Sequence, residues 1–190
     1  MLNIYNIETS NYVNGNGCRY VLWLQGCDLK CIGCWNKQTW SFKPKTLKSI
    51  DEIFSQIKSL EHKLDGITFS GGEPFLQANE LLGLSKLIKE NTSLNLQIFS
   101  GFTKEELNDN LYADLLKYTD ILVAGRFDSS KLNNNQKIYL LNNNVDVWEF
   151  NNSDVEIEIN DDIDIKITGY PTDELISEIK ENIYESAKQS

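Results

Sequence analysis

The chain has 190 residues, with 18 lysines and arginines against 28 aspartates and glutamates, a net charge of −10. That length supports a compact core without covalent staples, and four cysteines are too few for a disulfide scaffold, although the even count permits two bridges. The acidic balance excludes a general nucleic-acid surface, which needs lysine and arginine against phosphate.

No apolar run approaches the 18 residues of a membrane span. Met1 to Asn6 lacks the basic and apolar regions of a signal peptide. The expectation is therefore a single domain over 1–190 in a reducing, cytoplasmic compartment, with no membrane partner. Charge is uneven: residues 1–60 carry a net +3 and residues 61–190 a net −13.

Residues 2–8 form a weak first strand, and Asn11 to Gly17 a loop in which Gly15 and Gly17 are free to take unusual backbone angles. Arg19 to Gln25, nearly all apolar from Tyr20 to Leu24, predicts a buried strand. Residues 50–61 place Ile50, Ile53, Phe54, Ile57 and Leu60 at helical spacing. Gly66 to Ser70 is a short strand closed by Gly71-Gly72-Glu73-Pro74. Residues 79–91 are again helical, Leu94 to Phe99 is a strand, and Thr103 with Glu106 suggests a capped helix running to about Lys117. Asp120 to Ala124 is the next strand. Four alternations of strand and helix argue for a parallel α/β sheet. Beyond residue 130 the pattern changes. Lys137 to Leu141 fits strand or short helix, and Val145 to Phe150 looks extended. Val155 to Ile159 and Ile163 to Thr168 alternate as a hairpin, and Pro171 opens a last helix.

Chemistry concentrates at the end of the strand 19–25. Cys27, Cys31 and Cys34 follow it at C-x3-C-x2-C spacing. Three thiolates can hold three irons of a [4Fe–4S] cube, leaving the fourth iron free to bind a substrate or cofactor. Zinc, with Cys18 as a fourth ligand, is the first rival, although structural zinc usually takes paired C-x2-C ligands. Inert core cysteines are the bland alternative, and packing is the expected role of Cys18. The single histidine, His62, lies just past a helix and is not a site candidate.

The cysteine spacing, with Ser70-Gly71-Gly72-Glu73-Pro74 after a second strand, resembles the cluster and GGEP motifs of the radical S-adenosylmethionine superfamily. More narrowly, the chain resembles the activating proteins of anaerobic ribonucleoside-triphosphate reductase. The likeness runs through Asn16 to Arg19, Gln25 to Cys27, Cys34 to Asn36, Gln38 to Trp40, Asp120 to Phe127 and Asn135 to Lys137. Ala124 departs from it, where those activases commonly have Asp, and in Lys131 to Lys137 only Asn135 and Gln136 match outright.

The resemblance implies an incomplete (β/α)6-type barrel, mostly parallel, here followed by the C-terminal hairpin and helix. It implies a [4Fe–4S] cluster on Cys27, Cys31 and Cys34 and S-adenosylmethionine as cofactor. The cofactor's reductive cleavage would yield a 5′-deoxyadenosyl radical, which would install a glycyl radical on the reductase's large subunit. An external one-electron donor such as reduced flavodoxin is needed. Ser70 and the backbone of Gly71, Gly72, Glu73 and Pro74 are implied at the methionine part of the cofactor, with Glu73 holding its loop. Ser100 and Arg126, at later strand ends, are candidates for the ribose or carboxylate, and Trp35 and Asn36 for covering the cluster or adenine. For Arg126 a partner-facing or solvent role stands beside this, and for Trp35 core packing. The run Glu149 to Asp164, with seven acidic residues and no basic one, is a solvated face or a dock for a basic partner surface. Two other classes remain: a radical enzyme acting on a peptide or small metabolite, and a zinc- or cluster-holding interaction module.

Overall fold

In a computed structural model, described over residues 1–131, 135–142, 155–159, 165–169, 174–175 and 177–179, the chain forms two compact units, Met1–Trp148 and Glu149–Ser190. The first is built on seven strands. They are β1 (Leu2–Asn11), β2 (Arg19–Leu24), β3 (Thr46–Lys48), β4 (Gly66–Gly71), β5 (Asn95–Ser100), β6 (Ile121–Ala124) and β7 (Lys137–Leu140). Their order is β3-β1-β2-β4-β5-β6-β7. The central four, β2, β4, β5 and β6, are mutually parallel. β1 and β7 pair antiparallel on either side, with β3 antiparallel to β1. Among the described residues the sheet is unclosed, with β3 and β7 at its edges: a partial barrel, as expected, though its sheet is mixed, with three parallel and three antiparallel pairings rather than mostly parallel.

Helices α1 (Ile50–Leu60), α2 (Ala78–Asn91) and α3 (Asn110–Leu116) cover one face. Alternation decides which strand residues meet them. Tyr20, Leu22 and Leu24 of β2 join Ile67 and Phe69 of β4, Leu96 and Ile98 of β5, and Ile53, Ile57, Leu81, Leu84 and Ile88 of the helices in one core. Helix α1 starts where the sequence supplies a capping box. The Glu52 N–H donates to Ser49 Oγ (3.1 Å) and the Ser49 N–H to Glu52 Oε2 (2.8 Å).

The predicted helix from Thr103 divides in two. Thr103 and Glu106 do form a reciprocal cap, with the Thr103 N–H donating to Glu106 Oε2 at 2.7 Å, but only a single turn follows. Helix α3 restarts after Asp109, whose carboxylate accepts from the Leu111 N–H at 3.0 Å. Asn108-Asp109-Asn110 offers the backbone side-chain partners that favour a new cap over a continued helix. Lys137–Leu140 settles as strand β7, paired to β6.

The second unit contains the expected hairpin, β8 (Val155–Ile159) antiparallel to β9 (Ile165–Gly169). The backbone is helical at 174–175 and 177–179. The rest of the predicted last helix, and the extended reading of 145–150, lie outside the described residues. Among the described residues no helix is long and apolar enough to cross a membrane.

Candidate active site

Because β2, β4, β5 and β6 run in parallel, their carboxyl ends gather on one side, where α/β folds place ligands. The loop carrying Cys27, Cys31 and Cys34 leaves the end of β2, Gly71 to Pro74 leave β4, Ser100 and Gly101 leave β5, and Gly125 and Arg126 leave β6. The three cysteines are partly exposed and unbridged. Burial raises the Cys27 thiol to about 11, against the opposing Leu29 backbone N–H, and burial also raises Cys31. These thiols are therefore protonated at neutrality and must lose protons to bind metal. Among the described residues, no three His, Cys, Asp or Glu side chains already converge as a single-ion site.

Cys18 is placed elsewhere. It precedes β2 at the opposite end, buried in the core at 8% exposure. Its Sγ lies 3.3 Å from Ser10 Oγ. A six-residue strand, about 20 Å long, separates it from Cys27, so it cannot complete a tetrahedron with the other three. Packing is its role.

The 71–74 turn is seated on the start of the cysteine loop by backbone alone. The Gly72 N–H donates to Leu24 O (2.8 Å) and the Glu73 N–H to Gly26 O (2.9 Å). A Cβ on Gly72 would collide with the Gly26 carbonyl, and one on Gly71 with the Leu24 backbone. Gly71 also holds φ +98°, in the glycine-favouring region. The expected reason for these glycines was approach to a cofactor. The neighbour that forbids side chains in this structure is the protein's own backbone at 24–26.

Glu73 is buried at 1% exposure and is no surface carboxylate. Its Oε1 accepts from Ser100 Oγ (2.8 Å) and the Phe75 N–H (3.1 Å), and its Oε2 from the Gly101 N–H (2.7 Å). It thus ties the end of β4 to the end of β5. Burial outweighs these donors and raises its carboxyl to about 7. Pro74 opens a 3-10 turn, Pro74–Gln77, where its missing N–H leaves no gap. Ser70 is buried in β4, opposite Trp23 of β2.

Arg126 already has a carboxylate. Its fork meets Glu106 with two 3.0 Å bonds, Nη1 also donates to Gly101 O, and the guanidinium lies 5.2 Å from the Phe102 ring centroid. Trp35 is 42% exposed beside the last cysteine, so core packing does not hold it. The Asn36 carbonyl accepts from the Thr39 N–H (2.9 Å) and Oγ1 (2.7 Å), which starts a short 3-10 turn, Lys37–Thr39. Gln136 Nε2 donates to Gly125 O (3.2 Å), and Asn135 Nδ2 to Arg126 O (3.1 Å). Both brace the loop after β6. His62 is exposed on a 3-10 turn that precedes β4, at that strand's amino end, whereas the site lies at the carboxyl ends.

Four contributors were not anticipated. Gly26, at φ +108°, turns the chain into the cysteine loop. Gln77 Nε2 donates to both Asn3 O and Gln25 O at 3.0 Å, which pins β1 and β2 beneath the site. Glu106 engages Arg126. Leu29, between two ligands, lies against Gly101. A glycine before a cysteine motif was a usable signal for the first. The others join residues far apart in sequence, and no local spacing announces them.

The arrangement offers three thiols on a half-open loop, a glycine turn locked to that loop, and a buried carboxyl bracing two strand ends. The model of a 4Fe-4S single cluster domain matches residues 13–148. Over 137 residues the chain is 34% identical to the anaerobic ribonucleoside-triphosphate reductase-activating protein of Pasteurella multocida, covering 68% of this chain and 87% of that one. To the protein of the same description from Vibrio cholerae it is 35% identical, covering 66% and 84%. A pyruvate formate-lyase-activating enzyme of Staphylococcus aureus is 31% identical over 72% of this chain and 56% of its own length.

Proposed function

Because the chain belongs to the 4Fe-4S single cluster domain family, within the radical S-adenosylmethionine superfamily, we propose that it activates a glycyl-radical enzyme, the anaerobic ribonucleotide reductase. Relatives described as activating proteins of that reductase share more than four-fifths of their length with it. One observation carries the reading. The glycine turn rests directly on the first residues of the cysteine loop, which supports a single site shared by the thiols and the backbone at 71–74.

The donor set fits an iron–sulfur cube. Three thiols within eight residues match its preference for thiolate. The residues between them supply no carboxylate but Asp28 and no imidazole. A cube takes one thiolate at each of several corners, so the three need not converge on one point as zinc ligands do. Cys27, Cys31 and Cys34 would hold it. Once bound and reduced by an outside donor, it would supply the one-electron chemistry that cleaves S-adenosylmethionine and so allows a hydrogen to be taken from a glycine Cα.

The chain's own part is orientation and exclusion. Gly71 and Gly72 keep the turn flat against the loop, and Glu73 fixes its distance from β5 through Ser100 and Gly101. A carboxyl so fully engaged holds structure and is not free to take a proton from substrate. Leu29, packed on Gly101, and Phe102, under Arg126, put apolar surface between the strand ends and water. Trp35 and Asn36, beside the last cysteine, are our candidates for covering the cluster or adenine, and Ser100, whose hydroxyl is held by Glu73, contributes by bracing the end of β5. Arg126 can meet the cofactor's carboxylate once the fork leaves Glu106. The unclosed sheet leaves room for a loop of the partner.

The test is anaerobic incubation of iron-loaded protein with a reductant, S-adenosylmethionine and the reductase large subunit, read by electron paramagnetic resonance. A glycyl doublet is the expected result. Cofactor cleavage with no radical on that subunit would transfer the activity to another substrate.

A further inference from the structure

The proposed function needs an electron from outside, and the molecule carries a surface whose charge is unlike the rest. Residues 26–48 hold five lysines, Lys30, Lys37, Lys43, Lys45 and Lys48, against the single acid Asp28. That is +4 in a chain of −10. Lys30, Lys37, Lys43 and Lys45 are exposed. The same stretch holds four exposed apolar residues, Ile32 at 68%, Phe42 at 61%, Leu47 at 50% and Trp35 at 42%.

These residues are held together in space as well as in sequence. The segment after the last cysteine folds back along the first. The Gly26 N–H donates to Thr39 O (2.7 Å), the Cys27 N–H to Trp40 O (3.2 Å), and Gln25 Nε2 to Ser41 O (2.6 Å). Phe42 lies over Gly26, about a ring's contact from where a Cβ would be. The Lys45 N–H donates to Asn3 Oδ1 (2.9 Å), and Lys45 Nζ sits 3.3 Å from the Tyr5 ring centroid. Lys43, Lys45 and Lys48 therefore line the flank of the cysteine loop that faces β1 and β3, with Lys37 on the turn that leads into it. The other flank faces β5 and β6. There Leu29 meets Gly101, Ile32 bridges to Asp128 and Gly33 abuts Ser129.

We propose that this lysine collar, with the exposed Phe42 beside it over Gly26, is the docking face for the electron donor, a one-electron carrier protein with an acidic surface. The inference rests on the function proposed above. Charge complementarity selects the partner: opposite fields raise encounter rates, and the apolar Phe42 supplies the short-range contact. Geometry separates it from the radical acceptor. The acceptor's glycine has to reach the strand ends of β4, β5 and β6, whereas the collar lies on the β1–β3 flank. Two proteins then serve the same three cysteines from different sides, without competing for one surface.

The experiment mixes reduced flavodoxin, as an acidic carrier, with anaerobic iron-loaded protein in a stopped-flow instrument and follows flavin oxidation. Reduced methyl viologen, small and cationic, serves as the comparison donor. Two variants are used, Lys37→Glu/Lys43→Glu/Lys45→Glu and the same three positions changed to Gln. The expected bimolecular rate with flavodoxin falls about tenfold or more in the Glu variant, less in the Gln variant, and falls with added salt in the wild type. Iron content and the viologen rate stay at wild-type values. A flavodoxin rate indifferent to salt in the wild-type protein would overturn the proposal without reference to any variant. So would lysine reversal that leaves the flavodoxin rate intact but weakens binding of the reductase. If viologen-reduced protein fails to cleave S-adenosylmethionine, the proposed function fails, and the docking measurement still reads separately.

Discussion

Strand β2 joins two ends of opposite character, each with a cysteine beside it. At its amino end Cys18 is core, and Arg19 is wholly buried. The Arg19 guanidinium donates to Thr68 Oγ1 (2.6 Å), Ile67 O (2.7 Å), Asn95 Oδ1 (2.8 Å) and Asn16 O (3.0 Å). Burial lowers it to about 10, opposed by the charges of Asp65 and Asp120, so it stays a cation. The loop before β2 closes this end: Asn14 O accepts from Thr68 Oγ1 (2.8 Å) and Gln97 Nε2 (3.2 Å). At the carboxyl end the three thiols are left partly exposed and unbridged, and burial raises those of Cys27 and Cys31. Both ends commit their polar side chains to each other, Arg19 to Thr68 and Asn95 at one and Glu73 to Ser100 at the other; only the open end adds three partly exposed thiols. Position along one strand, not residue type, separates a buried packing cysteine from partly exposed thiols.

Substitutions can break that contrast, and the largest effect falls on the open end. Cys27→Ser, Cys31→Ser or Cys34→Ser each abolishes iron retention and S-adenosylmethionine cleavage, measured by iron and 5′-deoxyadenosine content. Each changes unfolding free energy by less than about 1 kcal/mol, since these side chains are half-exposed. At the closed end Arg19→Met strands four acceptors and costs about 3–5 kcal/mol in urea unfolding, because breaking a buried charged network leaves its partners unmatched. Gly72→Ala costs about 2–4 kcal/mol, as its Cβ drives against Gly26 O, and it lowers iron retention by moving the turn off the loop.

Glu73 sharpens the comparison through pH. Its carboxyl is raised by burial from 4.5 to about 7, so the folded state holds the proton more tightly than the unfolded one. Its contribution is fully present below about pH 4.5, shrinks as pH rises, and is lost above about 7. In metal-free protein, Glu73→Gln should gain stability relative to wild type by up to about 3 kcal/mol between pH 4.5 and 8, read from urea melts at both ends of that range. The smallest effect belongs to Cys18→Ala. It costs about 1 kcal/mol and leaves iron content at the wild-type value; a loss of iron there would erase the distinction between the two ends.

Much of this was legible in the chain. The central strands stand out because they are buried on both faces and so read as apolar runs, Tyr20 to Leu24 and Ile121 to Ala124. The helices show because one face only is buried, as Ile53 and Ile57 of α1 record. The cysteine and glycine motifs gave the site's location, since each follows such a strand. Strand β3 was missed: Thr46-Leu47-Lys48 is three residues long, mostly exposed, and has no period to detect. The helix 103–117 was overextended because a capping pair marks a start and says nothing of length. Two assignments gained protein partners that the sequence does not show. Gly71 and Gly72 answer to the backbone of Leu24 and Gly26, and Arg126 to Glu106. Both partners come from distant sequence, which periodicity does not carry.

The most direct test of the account is the electron paramagnetic resonance spectrum of reduced, anaerobically iron-loaded protein, recorded with and without S-adenosylmethionine. The account predicts a [4Fe–4S] signal held by Cys27, Cys31 and Cys34 whose g values shift when the cofactor binds. A spectrum unmoved by the cofactor, or purified protein holding zinc on those three thiols, would contradict it.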